Sequence, residues 1–379
     1  MKDHSLEVHG CHDYDATGAI SPTICLSATF RHPRFGESTG YDYGRVANPT
    51  REALEKTMAL LEHGRRCWAL SSGMAAVQLV FSLLSAGDHV LMSEDLYGGT
   101  VRLAEEVFRG YGITFEYVDV RDLDLVSERL RPETKLVFIE TPSNPMMQIA
   151  DIQALAALAH EKGALLAVDN TFLSPHFQKP LTLGADIVLH SGTKYLCGHN
   201  DVIAGFLVLR DAAGKTAERI ELLAKSAGPN LSALDSWLML RSIKTLGVRI
   251  ERQAENALAL ARWLDTLPEV TEVLYPGLPE HPGYALQKKQ ARGAGGMISF
   301  KVRCAEIAKA SLGRLQLIAF AESLGGVETL LTYPIAQTHA EMPAALLART
   351  GLDDKLLRLS VGIEDIEDLK ADLQQALQG

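Results

Sequence analysis

The stretch Ala164–Tyr195, ALLAVDNTFLSPHFQKPLTLGADIVLHSGTKY, constrains the fold more than any other part of the chain. Two short apolar runs, Leu165–Val168 and Ile187–Leu189, each end in polar groups that a buried strand normally avoids. Asp169-Asn170 closes the first, and His190-Ser191-Gly192-Thr193-Lys194 closes the second. Continuous apolar runs mark strands buried on both faces of a parallel sheet, and ligands of such sheets sit outside the carboxyl ends of the strands. Asp169 and Lys194 are therefore expected on the same edge of one sheet, across a cleft from each other.

That pair sets the chemistry to look for. A lysine facing an aspartate, with the Ser191 and Thr193 hydroxyls alongside, suits pyridoxal phosphate. The lysine would form the Schiff base, the aspartate would keep the pyridine nitrogen protonated, and the hydroxyls would bond the phosphate. Taken alone, Ser-Gly-Thr-Lys reads as an ordinary surface turn. The surrounding sequence decides.

From Arg66 onward the chain alternates strand and helix patterns. Strands are expected at Arg66–Leu70, His89–Met92, Thr114–Val118, Lys135–Ile139 and Ile203–Val208, with helices at Gly73–Leu84, Thr100–Arg109, Asp122–Arg131 and Asp151–Glu161. Such alternation predicts an α/β fold with a mainly parallel sheet covered by helices. At 379 residues the chain has room for more than one domain. Residues 1–45 show little helical periodicity and read as an extended N-terminal arm that packs on another subunit; 46–249 read as a large cofactor-binding domain and 250–379 as a C-terminal α/β domain. Asn48-Pro49 reads as a cap and first residue of a helix running to His63. A long helical region spans Ser232–Leu264 with an interruption at Gly247, and further elements are expected at Met297–Val302, Ala305–Leu315 and Ile366–Leu377.

Several other positions carry chemistry. Ser71-Ser72-Gly73-Met74 passes from a strand into a helix N-terminus, where the free N–H groups of Gly73 and Met74 can receive an anion; a plain serine cap is the simpler reading of the same residues. Asn144, in the rigid run Thr141-Pro142-Ser143-Asn144-Pro145, is placed to bond the cofactor's ring oxygen, while Glu140 before it reads equally as structural. Tyr43 and Arg45 point to the same side of an extended segment, either as a phosphate clamp or as interface residues. Tyr97, beside Gly98 and Gly99, is a packing residue or a site residue. Arg358, within the apolar run Leu357–Val361, needs an anionic partner, and an amino acid's α-carboxylate is a bidentate match; an internal salt bridge is the alternative. His339 reads as a structural hydrogen-bonding residue.

Composition excludes other classes. A formal net charge of −10 argues against nucleic acid or anionic membrane as partners. No apolar run approaches a bilayer span, and the N-terminus MKDHSLEVHG lacks a signal-peptide core, so a cytoplasmic protein is expected. The five cysteines, Cys11, Cys25, Cys67, Cys197 and Cys304, are scattered and read as free thiols, with Cys197 a buried structural one. Dinucleotide, phosphate-loop and zinc-protease motifs are missing, and no metal is expected.

The runs VDNTF, HSGTKY and GHNDVIAG resemble the cystathionine/methionine-metabolism family of pyridoxal-phosphate enzymes, comprising gamma-synthases, beta-lyases and gamma-lyases. The resemblance extends from about Gly18 to the C-terminus. It implies the type I pyridoxal-phosphate transferase fold, with a seven-stranded, mainly parallel sheet, helices on both faces and a smaller C-terminal α/β domain. A homotetramer of two dimers with shared active sites is implied as well, with Tyr43 and Arg45 reaching the neighbouring subunit's cofactor phosphate. Tyr97 is implied to stack on the pyridine ring and assist proton transfer. Arg358 and Ser323 are implied to hold the substrate's α-carboxylate, and Lys194 to be the proton-moving base.

Some positions depart from the family pattern. Gly44 and Asn200 stand where relatives often have serine, Gly99 where methionine gamma-lyases have cysteine, and Thr332 where cystathionine gamma-lyases have an acidic residue. LSATFRHPRFGESTG, GHNDVIAG and SLGGVETLLTYPIAQTHA look most like Gram-positive gamma-synthases acting on activated homoserine esters. The expected activity is therefore trans-sulfuration of the cystathionine gamma-synthase type, a γ-replacement by cysteine or another thiol on a small sulfur amino-acid substrate. Beta-lyase or gamma-lyase action is the alternative, and a non-catalytic binding protein on the same fold is a remote one.

Overall fold

The protein is described by a computed structural model covering residues 1–10 and 18–378. Cys11 lies outside the described residues; Cys25, Cys67, Cys197 and Cys304 carry free thiols.

The larger sheet contains β1 (Arg66–Leu70), β2 (His89–Ser93), β3 (Thr114–Val118), β4 (Thr134–Glu140), β5 (Leu165–Asp169), β6 (Ile187–Ser191) and β7 (Gly205–Leu209), in the order β1-β7-β6-β5-β4-β2-β3. Only β7 runs against its neighbours β1 and β6. The apolar runs are continuous because both faces are covered. Leu166, Val168 and Val188 pack with the helices at 49–61, 152–161 and 233–243, while Ala167, Ile187 and Leu189 pack with those at 73–81 and 215–227. Fully burying each such side chain stabilises by about 1.5–3 kcal/mol, so a polar residue within these runs would be costly. Polar groups are admitted only where the strands end. Register sets those ends side by side, pairing Glu140 with Asp169 and Asp169 with Leu189.

The smaller sheet contains β8 (Val270–Leu274), β9 (Met297–Val302), β10 (Ala319–Phe320), β11 (Leu330–Thr332) and β12 (Leu356–Ser360), ordered β10-β11-β12-β9-β8 and antiparallel except at β10-β11. Its core joins Ile298, Phe300, Leu357 and Leu359 to the helices at 246–264 and 366–378. Among the described residues no helix is long and apolar enough to cross a membrane.

Local capping explains where helices begin. Asn48 Oδ1 accepts from Thr50 and Arg51 N–H at 3.0 and 3.2 Å, with Pro49 as the first helical residue. Three segments differ from expectation. The first residues of the arm are helical at Asp3–His9, without a side-chain cap. This short helix is held by tertiary contacts, chief among them buried Glu7 bonded to His176 at 2.7 Å. The long helical region is two helices, Ala233–Ile243 and Leu246–Leu264, parted at Lys244-Thr245 and continuous through Gly247. Gly247 serves close approach instead, since a Cβ there would meet Glu7 Oε2 at 2.6 Å. The helix expected at Thr100–Arg109 begins as a turn at Gly98–Arg102, widens to a π-helix at Leu103–Val107 and tightens at Phe108–Tyr111.

Candidate active site

A cavity of about 250 Å³ opens outside the carboxyl ends of β4, β5 and β6, closed on its far side by the loop before β11 and by β12. Ten of the residues singled out from sequence line it: Gly73, Met74, Tyr97, Asn144, Asp169, Ser191, Thr193, Lys194, Ser323 and Arg358. Tyr43 and Arg45 do not.

Lys194 follows β6, and its Nζ donates to Ser323 Oγ at 2.8 Å. Burial, with the Arg358 charge added, brings its ammonium down to about 8, against an opposing pull from Glu322. A lysine so placed is neutral for part of the time near neutral pH, as a nucleophile or a base must be. Asp169 ends β5 with its Oδ1 accepting the Thr171 N–H at 2.9 Å. Burial raises this carboxyl above its ordinary range, although the Thr171 bonds work the other way. Among the described residues no cation lies within ion-pair distance of it.

Arg358, in β12, is 1% exposed. Its guanidinium donates to Asn144 Oδ1 at 2.6 Å, Ser323 O at 3.2 Å and Thr332 Oγ1 at 3.3 Å, leaving Nε without an acceptor. No described carboxylate lies within 4.0 Å of it, so the internal salt bridge is not made. Burial lowers its pKa to about 10, partly offset by the charge of Glu140. Burial and the neighbouring Asp169 charge push the Glu140 carboxyl well up, and Glu140 accepts from Tyr97 N–H at 3.2 Å. A fixed arginine held by neutral acceptors, with a donor to spare, is built to receive an anion.

The opposite corner is polar in another way. Ser72 caps the helix at Gly73–Phe81, its Oγ accepting from Ala75 N–H at 3.0 Å. Among the described residues the Gly73 and Met74 N–H groups have no acceptor, so two helix-end donors face the cavity beside Ser191. Thr193 Oγ1 is engaged with the backbone of Ala204, accepting its N–H at 3.0 Å and donating to its carbonyl at 3.3 Å. Tyr97 lies 38% exposed at the mouth. A Cβ at Gly99 would meet its Cε1 at 2.5 Å, so any side chain there would displace the ring.

These groups fit pyridoxal phosphate. The unpartnered N–H pair with Ser191 suits the phosphate, the unpaired Asp169 carboxylate suits a pyridinium N–H, and the depressed Lys194 amine suits the aldehyde.

Tyr43 and Arg45 stand elsewhere in this chain. Arg45 donates to Lys225 O and lies 5.6 Å over the Tyr43 ring, and Tyr43 is 49% exposed. His339 bonds Thr338 and the Asn144 carbonyl, and burial brings it down to about 4, so it is a neutral prop under Asn144. Asn200 sits at φ 54°, a conformation asparagine tolerates better than most residues, and donates to Glu328 Oε2 at 2.8 Å. Cys197 is buried with its thiol on Asp201 Oδ1 at 3.1 Å. Sequence reading missed Glu322 and Thr171, both of which line the cavity. Glu322 looks like one more solvent-facing acid, and only its place directly before Ser323 hinted otherwise.

Comparison with known proteins agrees with this geometry. The family model described as Cys/Met metabolism PLP-dependent enzyme matches residues 4–378. The chain is 47% identical over 379 residues, 100% of both chains, to a cystathionine gamma-lyase of Bacillus subtilis. It is 46% identical to a cystathionine beta-lyase of the same organism, covering 96% of this chain and 92% of the relative. The solved cystathionine gamma synthase of Xanthomonas oryzae pv. oryzae, in complex with aminoacrylate and cysteine, superposes with a TM-score of 0.95 at 41% identity, covering 100% of this chain and 98% of that one.

Proposed function

This chain belongs to the Cys/Met metabolism family of pyridoxal-phosphate-dependent enzymes, and we propose that its reaction is γ-replacement: a thiol, cysteine foremost, displaces the activated oxygen substituent of an O-acylated homoserine. The observation that carries an α-amino-acid substrate is Arg358, a buried arginine without a carboxylate partner, on the same cavity as a lysine of lowered basicity; the choice of γ-replacement rests on the sequence runs.

Gly73 and Met74 N–H with Ser191 would hold the cofactor's phosphate, Asp169 its ring nitrogen and Lys194 its aldehyde carbon, while Tyr97 and Asn144 border the ring. When bound, pyridoxal phosphate supplies an electron sink beside the substrate's α-carbon. Arg358, braced by Asn144 and Thr332, fixes the substrate carboxylate and so sets which bond at Cα can break. Lys194 Nζ, neutral once deprotonated, takes the Cα proton; Ser323 Oγ, 2.8 Å away, fixes the amine's direction. Reaction at Cγ needs a second proton moved at Cβ, and the same amine is the candidate to carry it. Tyr97 at the mouth borders the departing group, and exposed Glu322 offers a carboxylate to the ammonium of an incoming cysteine.

Residues 26–40 and 198–205, together with the run from Ser323 to Ala340, support γ-replacement within the family. The reading includes an assembly of dimers paired into tetramers, in which Tyr43 and Arg45 serve a partner's phosphate. Their exposure away from their own chain's cavity supports this. Product analysis tests the reaction. O-acetyl-L-homoserine with L-cysteine should yield cystathionine. Pyruvate and homocysteine from L-cystathionine, with no product from the first mixture, would instead establish beta-lyase action.

A further inference from the structure

Outside the lining of the catalytic cavity, the N-terminal helix Asp3–His9 meets the segment Ser174–Phe177 and the helix Leu246–Leu264 through a cluster of histidines and carboxylates. One donor atom from each of His4, Glu7 and His176 can be chosen so that all lie within 4.8 Å of one another. His176 Nδ1 is 2.7 Å from Glu7 Oε1, and His4 Nδ1 is 3.9 Å from Glu7 Oε2. Tetrahedral donors around zinc, at bond lengths of about 2.0–2.1 Å, stand roughly 3.3–3.4 Å apart, within the range these pairs span.

The far nitrogens of both rings face one further carboxylate. Glu251 Oε1 lies 3.6 Å from His4 Nε2 and 3.3 Å from His176 Nε2. Each imidazole therefore presents Nδ1 towards Glu7 and Nε2 towards Glu251. This is the order of a metal-ligating histidine, whose second N–H is held by an outer carboxylate that fixes the tautomer. A neutral imidazole carries a single N–H, so His176 alone can donate to only one of the two carboxylates that flank it. The His176 and Glu7 side chains are 2% and 4% exposed, while His4 is 59% exposed and gives an ion a way in. A Cβ on Gly247 would meet Glu7 Oε2, His4 Nδ1 and His176 Cε1 at 2.6, 3.0 and 3.1 Å, so three side chains converge over a backbone stripped to admit them.

We infer that His4, Glu7 and His176 form a structural site for a divalent transition ion of the zinc type, with Glu251 as the outer carboxylate. The ion ties the start of the N-terminal arm to the segment Ser174–Phe177, and Glu251 brings in the helix Leu246–Leu264.

The test is equilibrium dialysis of the cofactor-loaded enzyme against zinc, followed by metal analysis and thermal unfolding. Wild type should hold one zinc per chain and unfold at a temperature that rises with zinc concentration. Glu7→Gln and His4→Ala should each lose the bound zinc and the thermal response. His4→Ala removes an exposed side chain, so it reports on the site even where a change at buried Glu7 disturbs folding. Wild type that retains no zinc, or zinc retained equally by wild type and His4→Ala, would overturn the inference.

Discussion

Placing Lys194 where it can act costs stability, and that cost can be measured in cofactor-free protein. Burial brings the amine from its ordinary 10.5 down to about 8. At about 1.4 kcal/mol for each tenfold change in acidity, the charged form is disfavoured in the folded state by about 3 kcal/mol. Replacing Lys194 with methionine removes this penalty at nearly constant volume, and also removes the bond to Ser323, worth about 1 kcal/mol. A net gain of about 2 kcal/mol remains. Unfolding entropy of about 2.1 cal/mol/K per residue over 379 residues turns this into a rise of about 2–3 °C in Tm. The sign with pH follows from the direction of the shift. Between about 8 and 10.5 the unfolded chain binds the proton that the folded chain has lost, so wild-type stability climbs with pH. The K194M advantage is thus full at pH 7, shrinks across that window and reverses above it, where only the lost bond to Ser323, about 1 kcal/mol, remains. Scanning fluorimetry of both cofactor-free proteins from pH 7 to 10.5 reads it directly. Wild type more stable than K194M at pH 7, or a gap independent of pH, would refute the reasoning.

Two further substitutions probe the substrate side. Arg358→Lys keeps the charge but loses the planar fork; with charge-assisted bonds worth about 1.5–3 kcal/mol, kcat/KM should fall roughly 10- to 150-fold while cofactor content, read from visible absorbance, is retained. A fall of less than threefold would remove the carboxylate role. Glu322→Gln should raise KM for cysteine roughly three- to fivefold, the range of a solvent-screened ion pair, leave KM for a thiol lacking an ammonium unchanged, and move the acid limb of the pH profile downward as Lys194 loses an opposing charge.

The parts legible in the sequence were those where burial and polarity conflict locally. Asp169 and Lys194 stand out because apolar strands end on them, and Arg358 because an arginine inside Leu357–Val361 has no place in a core without an anion. The mainly parallel, helix-covered sheet followed from the alternation, and its seven strands from the resemblance. What stayed hidden depends on distant neighbours. The helix at Asp3–His9 has seven residues and no side-chain cap, and exists because Glu7 finds His176, 169 positions away. β8 is a half-exposed edge strand with a register irregularity, so it lacks the continuous apolar run that betrayed β5 and β6. Glu322 has no pattern around it and acquires meaning only from the cavity it borders.

The lysine's position is a joint product of both sheets. After Lys194 the chain turns, and the carbonyls of Tyr195 and Leu196 are gripped by Arg249 at 2.8 and 3.5 Å from the helix Leu246–Leu264. Arg249 is 5% exposed and also bonds Ser242 O at 3.0 Å, so its charge is spent on backbone carbonyls. From the other side comes Leu324-Gly325-Gly326, on the approach to β11. Gly325 has φ 77°, and a Cβ there would lie 2.6 Å from Tyr195 N and 2.9 Å from the Lys194 carbonyl carbon. Only glycine meets both conditions, a left-handed backbone and contact with the lysine's own main chain. Ser323, two residues earlier, then has its hydroxyl on Lys194 Nζ and its carbonyl on Arg358. A single loop thus sets the distance between the Lys194 amine and the Arg358 guanidinium, the groups proposed to move the proton and hold the carboxylate. On these proposed roles, substrate positioning and base positioning are one mechanical variable, fixed by how closely the Gly-Gly loop can press on β6's outgoing chain.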